Sequence, residues 1–327
     1  MNLFLSYLVL GGGLLLALLF WRLAAKLWRA DSIEGKNGIN SGNRSWHIRR
    51  DQHRPDRYVP FGLDTGVMTY KLGKRPARPG SVQMNFAAYF NAAKLPMPPL
   101  VFGQPWLAEP QGSYANRAVG DCVIAAGVNG TRILRAESGL PQAKFNTPDV
   151  LADYSGALVL AGRAAYIASD PATDTGLDLQ EGAHYRQKVG LLDSTLVRHK
   201  IGLYCALRVG DVAEMALACW LFGACDIGVR LPANAERQFR YGETWSAPQG
   251  YMGGHAVELV GRNSKGNLLF FSWGRLQAAT PQWVVQTMDE GIVYVSQERL
   301  DARGISPEGY DMAKLLDDFR QLTGSAA

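Results

Sequence analysis

Cysteine is scarce in this chain. There are four in 327 residues (Cys122, Cys205, Cys219 and Cys225), with no Cys-x-x-Cys pair and no cysteine/histidine spacing of a zinc site. A disulfide framework is excluded, and neither a structural metal nor a cofactor is expected. Cys205, Cys219 and Cys225 sit in apolar stretches and read as buried thiols. No internal repeat is visible. The acidic loop Asp170 to Asp178 lacks the ligand spacing of a calcium loop. Excess positive charge is missing from most of the chain. Residues 31–80 carry ten Lys/Arg against five Asp/Glu, and this segment alone accounts for the net charge of +5. The remainder is neutral and offers no basic face, so nucleic acid is not an expected partner.

Charge is also absent from residues 1–21, whose run LFLSYLVLGGGLLLALLFW is long enough to span a bilayer as a helix. Trp21 and Trp28 suit an interfacial belt, and Arg22, Lys26 and Arg29 follow directly. No basic region precedes the run and no small-residue cleavage site closes it, so a retained single-pass anchor through residues 3–25 is expected in place of a signal peptide. The positive flank then puts the body of the protein in the cytoplasm.

The chain divides into a transmembrane anchor (residues 1–28), a basic linker or arm (29–80), an irregular proline-rich wrapping segment (81–114), a main domain (115–300) and a C-terminal helix (301–327). Within the main domain the period is helical at first. A helix is expected from Cys122 to Gly139, a second from an N-cap at Thr147, a third over Leu179–Lys188 and a fourth over Asp211–Phe222. Beyond Gly223 the period becomes two, and strands are expected over Cys225–Leu231, His255–Arg262, Leu268–Trp273 and Ile292–Gln297, with a short helix opening at Thr280. Helices first and sheet second make an α+β fold.

The chemistry gathers at Asn116-Arg-Ala-Val-Gly-Asp-Cys122. Gly120 turns the chain into a helix whose first residue is Cys122. A cysteine there meets the positive end of the helix dipole and unpaired N–H groups, which lower its pKa, and Gly120 is expected to leave the sulfur at a surface. The N–H of Cys122 is placed to bind an oxyanion, and Asn116 can supply a second donor. His255, 133 residues downstream, opens a strand after Gly253 and Gly254 and is the candidate base. Asp121, beside the cysteine, either raises the thiol pKa as a carboxylate or points away from it.

From Asn116 to about Gln297 the chain resembles the papain-like cysteine peptidases, segment by segment and in order. Asn-x4-Asp-Cys is similar to that family's oxyanion glutamine and nucleophile. Thr175-Gly176 followed by Ala183, Tyr185 and Gly190-Leu191 is similar to its GG…A…Y…G helix. Gly254-His255-Ala256-Val257 resembles its histidine strand, Phe271-Ser272-Trp273-Gly274 its Asn-Ser-Trp-Gly, and Gly291-Ile292-Val293-Tyr294 its closing strand. A group of phage and bacterial proteins with a GDC…GGHAV…WG pattern is also similar. The resemblance implies a papain-like fold with a helical half carrying the cysteine and an antiparallel half carrying the histidine. It also implies a peptide or protein substrate, with Cys122 as nucleophile, His255 as base and Asn116 at the oxyanion. The family's third residue, an Asn that orients the histidine, falls at Phe271, and regular strand alternation turns Ser272 to the other face.

Three functions are compatible with these residues. One is a membrane-anchored cysteine peptidase or related acyl-transfer hydrolase working with a Cys/His dyad. Another is a catalytically impaired papain-like fold kept for binding or assembly, as Phe271 implies. The third is a cell-wall hydrolase, which requires the body to lie outside the membrane. Nothing in the sequence sets an oligomeric state.

Overall fold

A six-stranded antiparallel sheet carries helices packed against it, and the two main apolar cores each join strands to helices. The computed structural model describes residues 70–80, 82, 84–89, 97–103, 112–296 and 298, all within one compact unit spanning residues 66–327. The expected anchor, most of the basic arm and the C-terminal helix lie outside the described residues. Among the described residues no helix is long and apolar enough to cross a membrane.

A single helical turn, α1 (Phe86–Tyr89), precedes the main helices α2 (Cys122–Glu137), α3 (Thr147–Leu160) and α4 (Leu179–Lys188). A two-stranded ribbon, β1 (Leu191–Leu192) and β2 (Arg198–His199), leads into β3 (Ile201–Ala206) and helix α5 (Val212–Phe222). Then come β4 (Cys225–Leu231), α6 (Ala235–Tyr241), β5 (Gly253–Arg262), β6 (Leu268–Ser272), β7 (Arg275–Ala279), α7 (Pro281–Thr287) and β8 (Met288–Ser296). The sheet order is β3-β8-β4-β5-β6-β7. The expected α+β arrangement is therefore present. Elements β1, β2, β3, α6 and β7 were not anticipated. Ile-Gly-Leu-Tyr-Cys-Ala of β3 and Arg-Leu-Gln-Ala-Ala of β7 lack a clean polar–apolar alternation, and α6 spans only seven residues.

Local chemistry fixes the helix ends. Asn146, not Thr147, caps α3, accepting from the Asp149 N–H at 2.9 Å, with Pro148 in the first turn. Asp178 and Glu181 form a reciprocal capping box on α4. Asp211 caps α5, and Gly223 ends it at φ 88°.

Helix α2 is buried on nearly every side. Its outer core unites Val123, Ile124, Val128 and Leu134 with Tyr154, Leu158, Leu177 and Leu179. Its inner face rests on a buried polar group. Arg186 donates to Asp226 at 2.8 Å and lies over the Tyr294 ring at 4.0 Å, and the Tyr294 hydroxyl donates to Glu258 at 2.6 Å. Gly127 and Gly130 make room for this group. A Cβ at Gly130 would lie 2.3 Å from the Tyr294 hydroxyl and 2.5 Å from Glu258. Burial, together with the neighbouring Asp226, pushes the Glu258 carboxyl well above its usual range. The second core joins α5 to β4, β5 and β6 with Trp245, Trp273 and Trp283.

Part of the expected linker is built into the fold. Residues 70–78 run as a strap against the junction of the two halves. Lys71 N–H donates to the Arg117 carbonyl, Lys74 N–H to Gly254, Arg75 N–H to Leu177, and Leu177 N–H back to Gly73. Composition alone made this stretch a tether because it has no apolar period. Its anchoring is through backbone bonds and single side chains, which leave no periodic signature.

Candidate active site

Cys122 occupies the first position of α2, as its sequence context requires. The approach to it is held by a residue the sequence did not single out. The Gly120 N–H donates to both oxygens of Asp174 at 3.1 Å, and Asp174 also accepts from the Tyr154 hydroxyl at 2.7 Å. Asn116 lies on the turn leading into α2, buried, with its Oδ1 unpaired. Asp121 is fully buried with neither oxygen hydrogen-bonded. Burial pushes its carboxyl up to about 8, so at neutral pH it is mostly uncharged and does not oppose a thiolate strongly.

His255 sits near the start of β5, fully buried. The next residue, Ala256, packs in the same apolar cluster as Cys122, and the backbone N–H groups of Ala256 and Gly73 are directed at the thiol. Ala256, the residue after His255, is thus set beside Cys122. The His255 ring stacks on Trp273, with centroids 4.3 Å apart and planes at 16°. Its Nε2 is 2.9 Å from Ser272 Oγ, while Nδ1 has no hydrogen-bond partner.

Ser272, not Phe271, therefore meets the histidine, contrary to the alternation argument. The reason is a bulge. Arg262 pairs with Leu268 and Gly261 with Leu269, but Leu259 pairs with Phe270 and Glu258 with Phe271, leaving Val260 extra. In a regular ladder Leu259 would oppose Phe271, and Phe271 would share the face of His255. One inserted residue reverses the faces. Phe271 goes to a small cluster with Ile133 and Val260, and Ser272 turns to the imidazole. The next two residues, Trp273 and Gly274, both take positive φ (46° and 78°) in a tight hairpin turn between β6 and β7. The Trp273 carbonyl also accepts from Arg117 at 3.2 Å.

The expectation that the sulfur lies at a surface is not met, because the strap covers the site. Gly73 lies so close to Gly120 that a Cβ there would sit 2.0 Å from the Gly120 carbonyl oxygen. The groove around the strap is itself lined by glycines. A Cβ at Gly176 would meet the Gly73 carbonyl at 1.9 Å, and one at Gly254 the Lys74 carbonyl at 2.2 Å. This is a channel shaped for a polypeptide backbone. Tyr70 lies against Trp273, with ring centroids 4.7 Å apart and planes tilted by 31°. In this closed arrangement burial raises the Cys122 thiol to about 11, opposed by the two N–H groups and by Lys74, and lowers the His255 imidazole to about 3. Both groups are neutral near pH 7.

The fold is similar to that of solved structures. Xylellain, a cysteine protease from Xylella fastidiosa, superimposes with a TM-score of 0.54 over 72% of this chain and 99% of its own, at 15% sequence identity. The fold is that of the papain-like cysteine proteases. The proform of the ragweed pollen cysteine protease Amb a 11 follows at TM-score 0.49 and 16% identity, covering 70% of this chain and 69% of its own. A procathepsin B from Trypanosoma congolense gives 0.48 and 10%, covering 69% and 86%. No family profile and no curated protein matches by sequence. In this papain-like fold Cys122 heads the central helix and His255 the facing strand. Ser272, which strand alternation had turned away, and Trp273, which had been given no role, both meet His255, while Asp174 and the strap beside the head of α2 were not singled out by the sequence. Only the run Ser272-Trp273-Gly274 carried a local signal for its place.

Proposed function

We propose that this chain is a cysteine peptidase whose cleft is closed by its own residues 70–78. The observation that carries the proposal is the unpaired Nδ1 of His255, whose Nε2 is engaged by Ser272 and whose chain neighbours Gly254 and Ala256 meet the strap and the cluster around Cys122. In the open cleft Nδ1 takes the thiol proton, and the α2 N-terminus stabilises the thiolate that attacks a peptide carbonyl. The Cys122 N–H and Asn116 serve the oxyanion, and the imidazolium returns its proton to the leaving amine. Ser272 holds the ring in plane and Trp273 shields that hydrogen bond from water.

The test uses the full chain with the strap loosened by Lys74→Ala. It is expected to hydrolyse a peptide mixture, with no turnover after Cys122→Ala. His255→Ala should slow Cys122 alkylation at pH 7 roughly tenfold or more, since the thiolate loses its counter-ion. Alkylation no faster than at Cys205 would remove the basis for the proposal. Ser272→Ala leaves a buried N–H without an acceptor, and kcat/KM is expected to fall about tenfold, chiefly in kcat. A serine that merely packs would leave kcat unchanged.

A second function, binding or assembly, is favoured by one observation: Cys122 and His255 are both fully buried under the strap. It predicts that Lys74→Ala gains no turnover. As for location, we infer an anchored protein with a cytoplasmic body from the apolar run before Arg22 and the basic flank after it. Protease accessibility in spheroplasts tests this, and a body outside the membrane would favour cell-wall hydrolysis instead.

A further inference from the structure

Lys74 has the strongest anchoring of any strap residue. Its side chain is completely buried although it carries a charge. The Nζ lies 2.9 Å from Asp289 Oδ1, 3.0 Å from Asp289 Oδ2 and 3.4 Å from Glu290 Oε2, and it donates to the Arg75 carbonyl at 2.9 Å. The aliphatic stem passes over Gly228, where a Cβ would lie 2.0 Å from Lys74 Cε. Glu290 also accepts from the Leu179 N–H at 3.2 Å, which ties the pocket floor to the head of α4. A glycine in the middle of β4, with two carboxylates behind it on β8, makes a narrow slot with an anionic floor.

The slot opens into the groove beside the reacting pair. Gly73 lies over the thiol, and the very next residue drops its side chain into the slot while its N–H bonds to the carbonyl of Gly254, the residue before His255. Any peptide lying along the same glycine-lined channel presents a side chain to the same slot. An apolar side chain there would bury two carboxylates without a cation, a costly arrangement. A Lys or Arg side chain satisfies both.

We propose that the slot formed by Gly228, Asp289 and Glu290 is the specificity pocket of this protein, that it selects a lysine or arginine side chain of the substrate, and that Lys74 occupies it as a stand-in. The inference rests on the peptidase function argued above, because it takes the groove to be the substrate groove.

Binding separates the two claims. The full chain carrying Lys74→Ala, to empty the slot, and Cys122→Ala, to prevent turnover, is titrated with a fluorescent peptide of the sequence of residues 70–78. The same peptide with its central lysine replaced by leucine is compared with it. The lysine peptide should bind at least about twentyfold more tightly than the leucine peptide, and an arginine at that place should retain most of the affinity. Adding Asp289→Asn and Glu290→Gln should reduce the lysine peptide to the level of the leucine peptide. Equal affinity for the lysine and leucine peptides overturns the assignment, and so does failure of both to bind. The change on the peptide side keeps the test decisive even where the doubly substituted protein folds poorly. If the lysine preference holds while the Cys122-containing chain shows no turnover, the pocket stands and the peptidase function fails.

Discussion

Lys74→Ala is expected to accelerate iodoacetamide alkylation of Cys122 at pH 7.5 on the order of a hundredfold. In the closed chain the thiol is raised to about 11, so roughly three sulfurs in ten thousand are thiolate at that pH, and Gly73 bars access. The strap's other side-chain ties are weaker. Lys71 meets Asp174 at 3.5 Å with its side chain 44% exposed, and Arg78 pairs with Asp178 while half exposed. Exposed pairs of this kind add little. Lys74 is different: removing one member of a buried pair costs about 3–5 kcal/mol, because the partner charge is left behind. Opening the strap lets water reach Asp289 and Glu290, so much of that cost is felt as a shift from closed to open. Peptide-level mapping of the adduct gives the readout. Cys205 is the internal control, since burial raises its thiol to about 12 away from the strap, and its labelling should stay slow. A parallel rise at both cysteines would mean general loosening, and no rise at Cys122 would show that Lys74 does not hold the strap.

Arg186→Met should destabilise the fold by about 3–5 kcal/mol, measured as a lowered denaturation midpoint with tryptophan fluorescence as the probe. Arg186 has only 1% of its surface exposed and lies between Asp226 and the Tyr294 ring, under Gly127 of α2. It is the cation facing Asp226 and Glu258 where helix α2 rests on the sheet. Methionine matches its stem but leaves Asp226 buried without a partner. Adding Asp226→Asn to Arg186→Met should recover part of the loss, as expected when the damage is an orphaned charge and not lost volume. A loss below about 1 kcal/mol would place the cluster outside the stabilising core. The consequence reaches function as well. Gly130 lies on this cluster two turns beyond Cys122, so the same group that stabilises the domain seats the helix that begins at Cys122.

Much of the fold is legible because its signals are local. Cys225–Leu231 and Leu179–Lys188 appear with the bounds that period and capping assign. The caps at Asp178 and Asp211 and the stops at Gly190 and Gly223 act within one turn of chain. The places of Cys122 at a helix start and His255 in a strand were legible for another reason. A cysteine at a helix start and a histidine after two glycines carry information in their immediate neighbours, and the ordered set of segments between them specifies the topology.

The rest depended on contacts between distant residues. Whether Phe271 or Ser272 faces His255 turns on one bulged residue, Val260, because strand faces alternate with a period of two and a single insertion reverses them. Whether Asp121 opposes the thiolate turns on its burial, which no neighbouring residue reveals. Whether Cys122 is open or covered turns on a segment some fifty residues earlier, held by glycine-to-backbone approach and one buried lysine. The sequence by itself determined the α+β order, the helix that carries Cys122 and the strand that carries His255, because these follow from patterns within a few residues. Only the tertiary structure decided which side chain meets His255 and what covers Cys122, because register and burial are properties of segments that meet in space.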